Sequence, residues 1–147
     1  MTAPSSPARP GIVNIAFWSV LVGSVLLLSG GLLGLSVAVS ADDAVFGKDV
    51  SPETVQNLRI LLGGLSVLWA VVGMALSFLA GRARNGDLRF RRSVVVMAVA
   101  VVVMVFLLTL LAPFTITLPT LFGVVPVAIG ATLFMRPAAT DWFLDMR

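Results

Sequence analysis

Four stretches of the chain, residues 12–39, 60–80, 93–112 and 120–135, are apolar around the whole helical circumference rather than along one stripe. A helix at the surface of a water-soluble domain keeps a polar face at the 3.6-residue period, whereas a helix solvated by lipid needs none. The first stretch, from Ile12 to Val39, crosses ~30 Å of hydrocarbon at ~1.5 Å per residue with tilt to spare. The third is crowded with Val94, Val95, Val96, Val99, Val101, Val102, Val103 and Val105. In water such a β-branched run suggests a buried strand, but in lipid an unpaired strand leaves its backbone groups without partners, so the pattern predicts a helix. The expected fold is an all-α membrane protein, a four-transmembrane-helix bundle occupying residues 12–135.

The polar segments between these stretches predict how each helix begins and ends. Residues 1–11 carry Pro4, Pro7 and Pro10 among Ser and Ala and read as a disordered cytoplasmic leader. Trp18 fits an interfacial anchor near the start of the first span, and Asn14 lies close enough to that end to reach headgroups or water. Ala38 and Ser40 also satisfy the small-residue rule for a signal-peptidase cut, but the apolar run is longer than an h-region of about 7 to 15 residues, which favours a retained anchor. Ser51-Pro52-Glu53 reads as an N-cap, a first-turn proline and a first-turn acid, so the second helix is expected to begin above the membrane and enter it near Ile60. Asn85-Gly86 supplies a turn, and Pro113 and Pro119 bracket a short external connection. Pro126 is expected to kink the fourth span. Residues 136–147 read as a cytoplasmic interfacial tail with Trp142, Phe143 and Met146 dipping into the headgroups.

Charge sets the orientation. Arg82, Arg84, Arg89, Arg91 and Arg92 crowd the loop between the second and third spans against Asp87 alone, whereas the first loop holds Lys48 and Arg59 among Asp42, Asp43, Asp49 and Glu53. Basic residues near span ends resist translocation, so the reading is N-in/C-in, multi-pass in the cell's inner (plasma) membrane, with both termini cytoplasmic. Those five arginines are also candidates for contact with anionic lipid or an acidic partner.

Composition changes the picture mainly by exclusion. Hydrophobic residues make up 59% of the 147 positions and charged ones 12%, outside the range of soluble domains. With no Cys, His or Tyr, thiol nucleophiles, His-ligated metals and imidazole acid-base catalysis are closed off, and the acids of the first loop match no calcium-loop pattern. The sequence predicts no enzyme, no cofactor, no metal and no nucleic-acid partner, because the basic residues gather where orientation already requires them. No ionisable residue lies well inside any span, which disfavours ion-coupled transport; Ser66, Ser77, Thr109 and the carbonyl freed by Pro126 leave a narrow oligomeric pore open.

Gly30, Gly34 and Ala38 recur four apart on the first helix, and Gly73, Ser77 and Gly81 do so on the second. Small residues at this spacing let a second backbone approach closely, either within the bundle or in self-association. The third helix lacks glycine, so its valine-rich surface is expected to face lipid most.

Arg9-Pro10-Gly11-Ile12-Val13, the Leu27 to Leu33 stretch, Arg84-Asn85-Gly86 with Arg91-Arg92, and Arg136-Pro137-Ala138-Ala139 followed by Trp142-Phe143 form a set of junction motifs. In these the chain resembles the small four-span integral membrane proteins of actinobacteria, including mycobacteria. The resemblance implies topology and lineage and carries over no site chemistry; where such proteins often place a tryptophan between Asn85 and Arg91, this chain has Leu88 and Phe90. Three functional expectations follow. The first is a non-enzymatic accessory or scaffold subunit of a membrane or envelope complex, with other membrane proteins or further copies as partners. The second is a small oligomeric pore of toxin or holin type, and the third a lipid or partner sensor working through the arginine loop.

Overall fold

The computed structural model describes residues 10–47, 50–112 and 115–145. The expected leader up to Arg9, together with Lys48, Asp49, Pro113, Phe114, Met146 and Arg147, lies outside the described residues. Five α-helices follow in order: α1 (Gly11–Ser40), α2 (Pro52–Arg84), α3 (Leu88–Leu111), α4 (Leu118–Phe134) and α5 (Pro137–Asp145), with a short 3-10 turn at Asp43–Phe46. Among the described residues there is no strand. α1, α2 and α3 are each long and apolar enough to cross a membrane; α4 and α5, bent by 59° at the break between them, add a fourth candidate if taken together.

Local chemistry explains the boundaries. Ser51 Oγ accepts from the Thr54 amide at 3.3 Å, and Pro52 fills the first turn of α2, where its missing N–H is not needed. α2 closes on Arg82 and Arg84, whose charge suits the negative end of the helix dipole. Gly86, at φ 92°, takes the left-handed conformation that reverses the chain, and Asp87 then caps α3 by accepting from the Arg89 amide at 2.9 Å. The result is a tight turn that sets α2 and α3 antiparallel. The valines of α3 are helical throughout. α4 runs through Pro126 as one continuous helix, and a separate 59° bend at Met135 and Arg136 turns the chain into α5.

α1 is the centre of the packing, lying against α2 on one side and α4 on the other. Small residues make this possible. A Cβ on Gly31 would lie 2.6 Å from the Ser66 carbonyl of α2, and one on Gly73 would lie 2.7 Å from the Ser24 carbonyl of α1. Facing α4, a Cβ on Gly130 would sit 2.8 Å from the Ala16 carbonyl and one on Gly123 3.0 Å from the Gly23 carbonyl. These are backbone-to-backbone approaches, which in lipid supply dispersion contact where the hydrophobic effect supplies little. Leu27, Trp69, Leu76, Val127 and Phe134 fill the space between.

α3 is attached differently. It buries Val94, Ala98, Val101 and Val105, a single stripe at helical spacing, and is the least buried of the three long helices. Its flanks stay open, leaving a groove against α2 and another against α4.

The C-terminal segment departs from expectation. Trp142 and Phe143 do not face headgroups: both are buried, Phe143 fully, where α5 folds back under the bundle. Phe143 packs 6.4 Å from Phe134, ring centre to ring centre.

Candidate functional site

The arginine-bearing end of the bundle is where chemistry gathers, and the structure divides the five arginines around the α2–α3 turn into two kinds. Arg82, Arg84 and Arg91 are engaged by the protein. Arg82 lies over the rings of Phe78, at 5.4 Å, and Phe90, at 6.0 Å. Arg84 lies 4.7 Å over Phe17 of α1, its Nε buried without a hydrogen-bond partner. Arg91 is the most elaborately held: Nε donates to the Phe134 carbonyl at 2.8 Å, a terminal nitrogen donates to Thr140 Oγ1 at 2.7 Å, and the guanidinium sits 5.3 Å over Phe143. It therefore closes the carbonyl end of α4 and ties α5 to α3.

The side chains of Arg89 and Arg92 make no hydrogen bond, ion pair or ring contact among the described residues, and both residues are exposed. They differ in surroundings. Arg92 stands at the mouth of a groove of about 590 Å³ between α2 and α3, walled by Leu68, Val72, Leu79, Val96, Ala100 and Met104. On the other side of α3 it also borders a space of about 400 Å³ with Val95 and Met135. Met135 continues from there into an apolar cleft of about 160 Å³ between α3 and α4. Arg89 lines none of these grooves.

At the opposite end Arg59 performs the task that Arg91 performs here. It donates to the Ala38 carbonyl at 2.9 Å and to the Ala41 carbonyl, pairs with Asp43 at 2.8 Å, and lies 4.9 Å over Phe46. It thus satisfies the last carbonyls of α1 and pins the loop to α2. Nothing local in the sequence signals this tie, since its partners lie 21 and 18 positions away. Asp42 accepts from the Ala44 amide and caps the 3-10 turn. Among the described residues, no three Asp or Glu side chains come together as a metal-binding group.

The small-residue rows are divided between neighbours. Gly30 faces Thr120 of α4 and Thr117 just before it, Gly34 faces Ser66 of α2, and Ala38 lies 3.7 Å from where a Cβ on Gly63 would stand. On α2, Gly73 meets α1, Ser77 donates back to the Gly73 carbonyl at 3.0 Å, and nothing lies within 4 Å of a Cβ on Gly81. Gly23, Gly31, Gly123 and Gly130 fall outside the four-residue rows read from sequence, yet make equally close approaches.

Hydroxyls within the spans bond mostly to their own helices. Ser24 donates to the Val20 carbonyl and Thr109 to the Val105 carbonyl, each at 2.7 Å. Thr117 reaches across to the Gly30 carbonyl at 3.1 Å and pairs with Thr120 at 2.9 Å. Trp69 Nε1 and Asn14 Oδ1 are buried without partners. Asn14 borders a shallow space of about 370 Å³ with Trp18 and Pro126 on the outer side of α1 and α4.

No protein-family model, curated protein or solved structure matches the chain.

Proposed function

We propose that this chain is a four-span, non-enzymatic protein of the plasma membrane, with both termini and the arginine turn cytoplasmic, that acts as an accessory or scaffold subunit through lateral contacts with other membrane proteins. The supporting observation is how the polar groups of the spans are used. Ser24, Ser77 and Thr109 are spent on carbonyls of their own helices, and Thr117 and Thr120 on joining α4 to α1. A carrier or catalyst needs polar groups aimed at a substrate within the membrane. Here what remains outward at that depth is apolar: Val96, Val99, Val103 and Phe106 on α3, Val71, Met74 and Phe78 on α2. Such a surface works by contact. The junction motifs favour an actinobacterial lineage for it.

The test is purification of the tagged full chain from its own membranes in mild detergent, with crosslinking and native mass measurement. A defined complex with another membrane protein is the expected result. A lone homo-oligomer that makes vesicles leak ions would replace this reading with that of a pore.

A further inference from the structure

We infer that the groove between α2 and α3 holds an acyl chain of an anionic phospholipid whose phosphate rests on Arg92. The site does not depend on the accessory-subunit reading; it stands on the depth, lining and charge of the groove.

Depth is the first argument. On α3 the lining runs from Arg92 to Met104, a rise of ~18 Å at ~1.5 Å per residue. That is about half of a ~30 Å hydrocarbon core and the reach of a chain in one leaflet. The lining stops at Met104, while α3 continues to Leu111, so the groove ends about where a chain of one leaflet ends.

The lining is the second. Leu68, Val72 and Leu79 from α2 face Val96, Met97, Ala100, Val101 and Met104 from α3, and polar groups enter only at the mouth, as Arg92 and Ser93. Ser93 Oγ already donates to the Arg89 carbonyl at 3.1 Å, which leaves the Arg92 guanidinium as the strong free donor. An apolar trough with one cationic fork at headgroup level has the polarity of a phospholipid in reverse.

Charge complementarity is the third. Arg82, Arg84, Arg89, Arg91 and Arg92 give this end a positive field against Asp87 on the same turn and Asp141 on α5. Of the five, Arg82, Arg84 and Arg91 are held over rings or on carbonyls, and Arg89 is away from the grooves. Arg92 alone is both unpartnered among the described residues and placed where a groove opens. A guanidinium fork fits a phosphate through two parallel N–H donors, and basic pockets between spans bind lipid headgroups in this way.

The experiment is native mass spectrometry of the full-length protein released from nanodiscs containing equal parts phosphatidylglycerol and phosphatidylcholine, followed by lipid titration in detergent. One phosphatidylglycerol should be retained in preference to phosphatidylcholine. Arg92→Gln should weaken that retention about fivefold, the effect of one basic contact at the surface. Arg89→Gln, with the same change in net charge at the same end, should leave it unchanged. Ala100→Trp, at an exposed position inside the groove, should displace the chain while helicity and elution stay as in the parent. Equal losses in the Arg89 and Arg92 variants would overturn the site in favour of diffuse electrostatic attraction. Unchanged retention in Ala100→Trp would remove the acyl chain from the groove. Equal retention of the two lipids, or a co-purified membrane polypeptide crosslinked at Ala100, would also refute it.

Discussion

At the scale of single residues the bundle is decided by where a hydrogen stands in place of a methyl group. A Cβ on Gly73 would fall 2.7 Å from the Ser24 carbonyl and 2.9 Å from the Leu28 amide, both backbone atoms that cannot swing aside. Gly73→Ala should therefore push α1 from α2 and cost about 1–3 kcal/mol of stability, as overpacking does. Gly81→Ala, with open space around it, should be neutral or stabilising by up to about 1 kcal/mol through helix propensity. Thermal unfolding of the two variants in one detergent separates them, and equal melting temperatures would refute the assignment of the α1–α2 contact to Gly73. Both glycines belong to one four-residue row, so spacing showed that α2 has a smooth face without showing how far along that face the neighbour lies. Gly31 and Gly130 escaped the same reading for a related reason. Gly31 sits beside Gly30 but points to α2 rather than α4, and Gly130 faces Ala16 and Val20 of α1, a pairing that only the assembled bundle defines.

Between elements, two arginines carry the ties that the lipid-facing helices do not make for themselves. Arg59 joins the end of α1 to α2, and Arg91 joins α3 to the end of α4 and to α5. The helix boundaries were legible in the sequence because their signals are local: Ser51 and Pro52 open α2, and Gly86 turns it into α3. The course of α5 was not. An aromatic pair on a short polar helix suits a headgroup layer as well as the underside of a bundle, and the choice here rests on Phe134, across the α4–α5 bend, and on Arg91, distant in sequence, both of which pack on Phe143. Arg91→Lys tests this, since lysine keeps the charge but cannot donate from two fixed nitrogens to the Phe134 carbonyl and Thr140 together. Loss of one charge-assisted hydrogen bond, worth about 1.5–3 kcal/mol, should raise amide exchange over residues 139–144 by about tenfold or more and leave the middle of α1 unchanged. Unchanged exchange in α5 would mean that the buried Phe143 holds the segment without Arg91.

For the whole molecule, the contacts sort every helix end onto one of two faces. Phe17 of α1 lies under Arg84, and Phe134 and α5 lie on Arg91, so the start of α1, the α2–α3 turn and the end of α4 share a face. Arg59 with Ala38, and Thr117 with Gly30, bring the end of α1, the first loop and the start of α4 to the other. The first face carries Arg82, Arg84, Arg89, Arg91, Arg92 and Arg136 against Asp87 and Asp141; the second carries Arg59 against Asp42, Asp43 and Glu53. Insertion machinery retains the basic side, so the proposed orientation puts the arginine face in the cytoplasm. The chain has no native cysteine, so a single introduced thiol reports its own side without background. Asn85→Cys, in the exposed turn after α2, should stay unlabelled by a membrane-impermeant maleimide in intact cells and react once the cells are opened. Val45→Cys, at a position 66% exposed in the loop after α1, should react in intact cells. The reverse pattern would invert the orientation. It would also move the lipid site at Arg92 to the outer leaflet, because the groove opens on whichever side the arginine turn occupies.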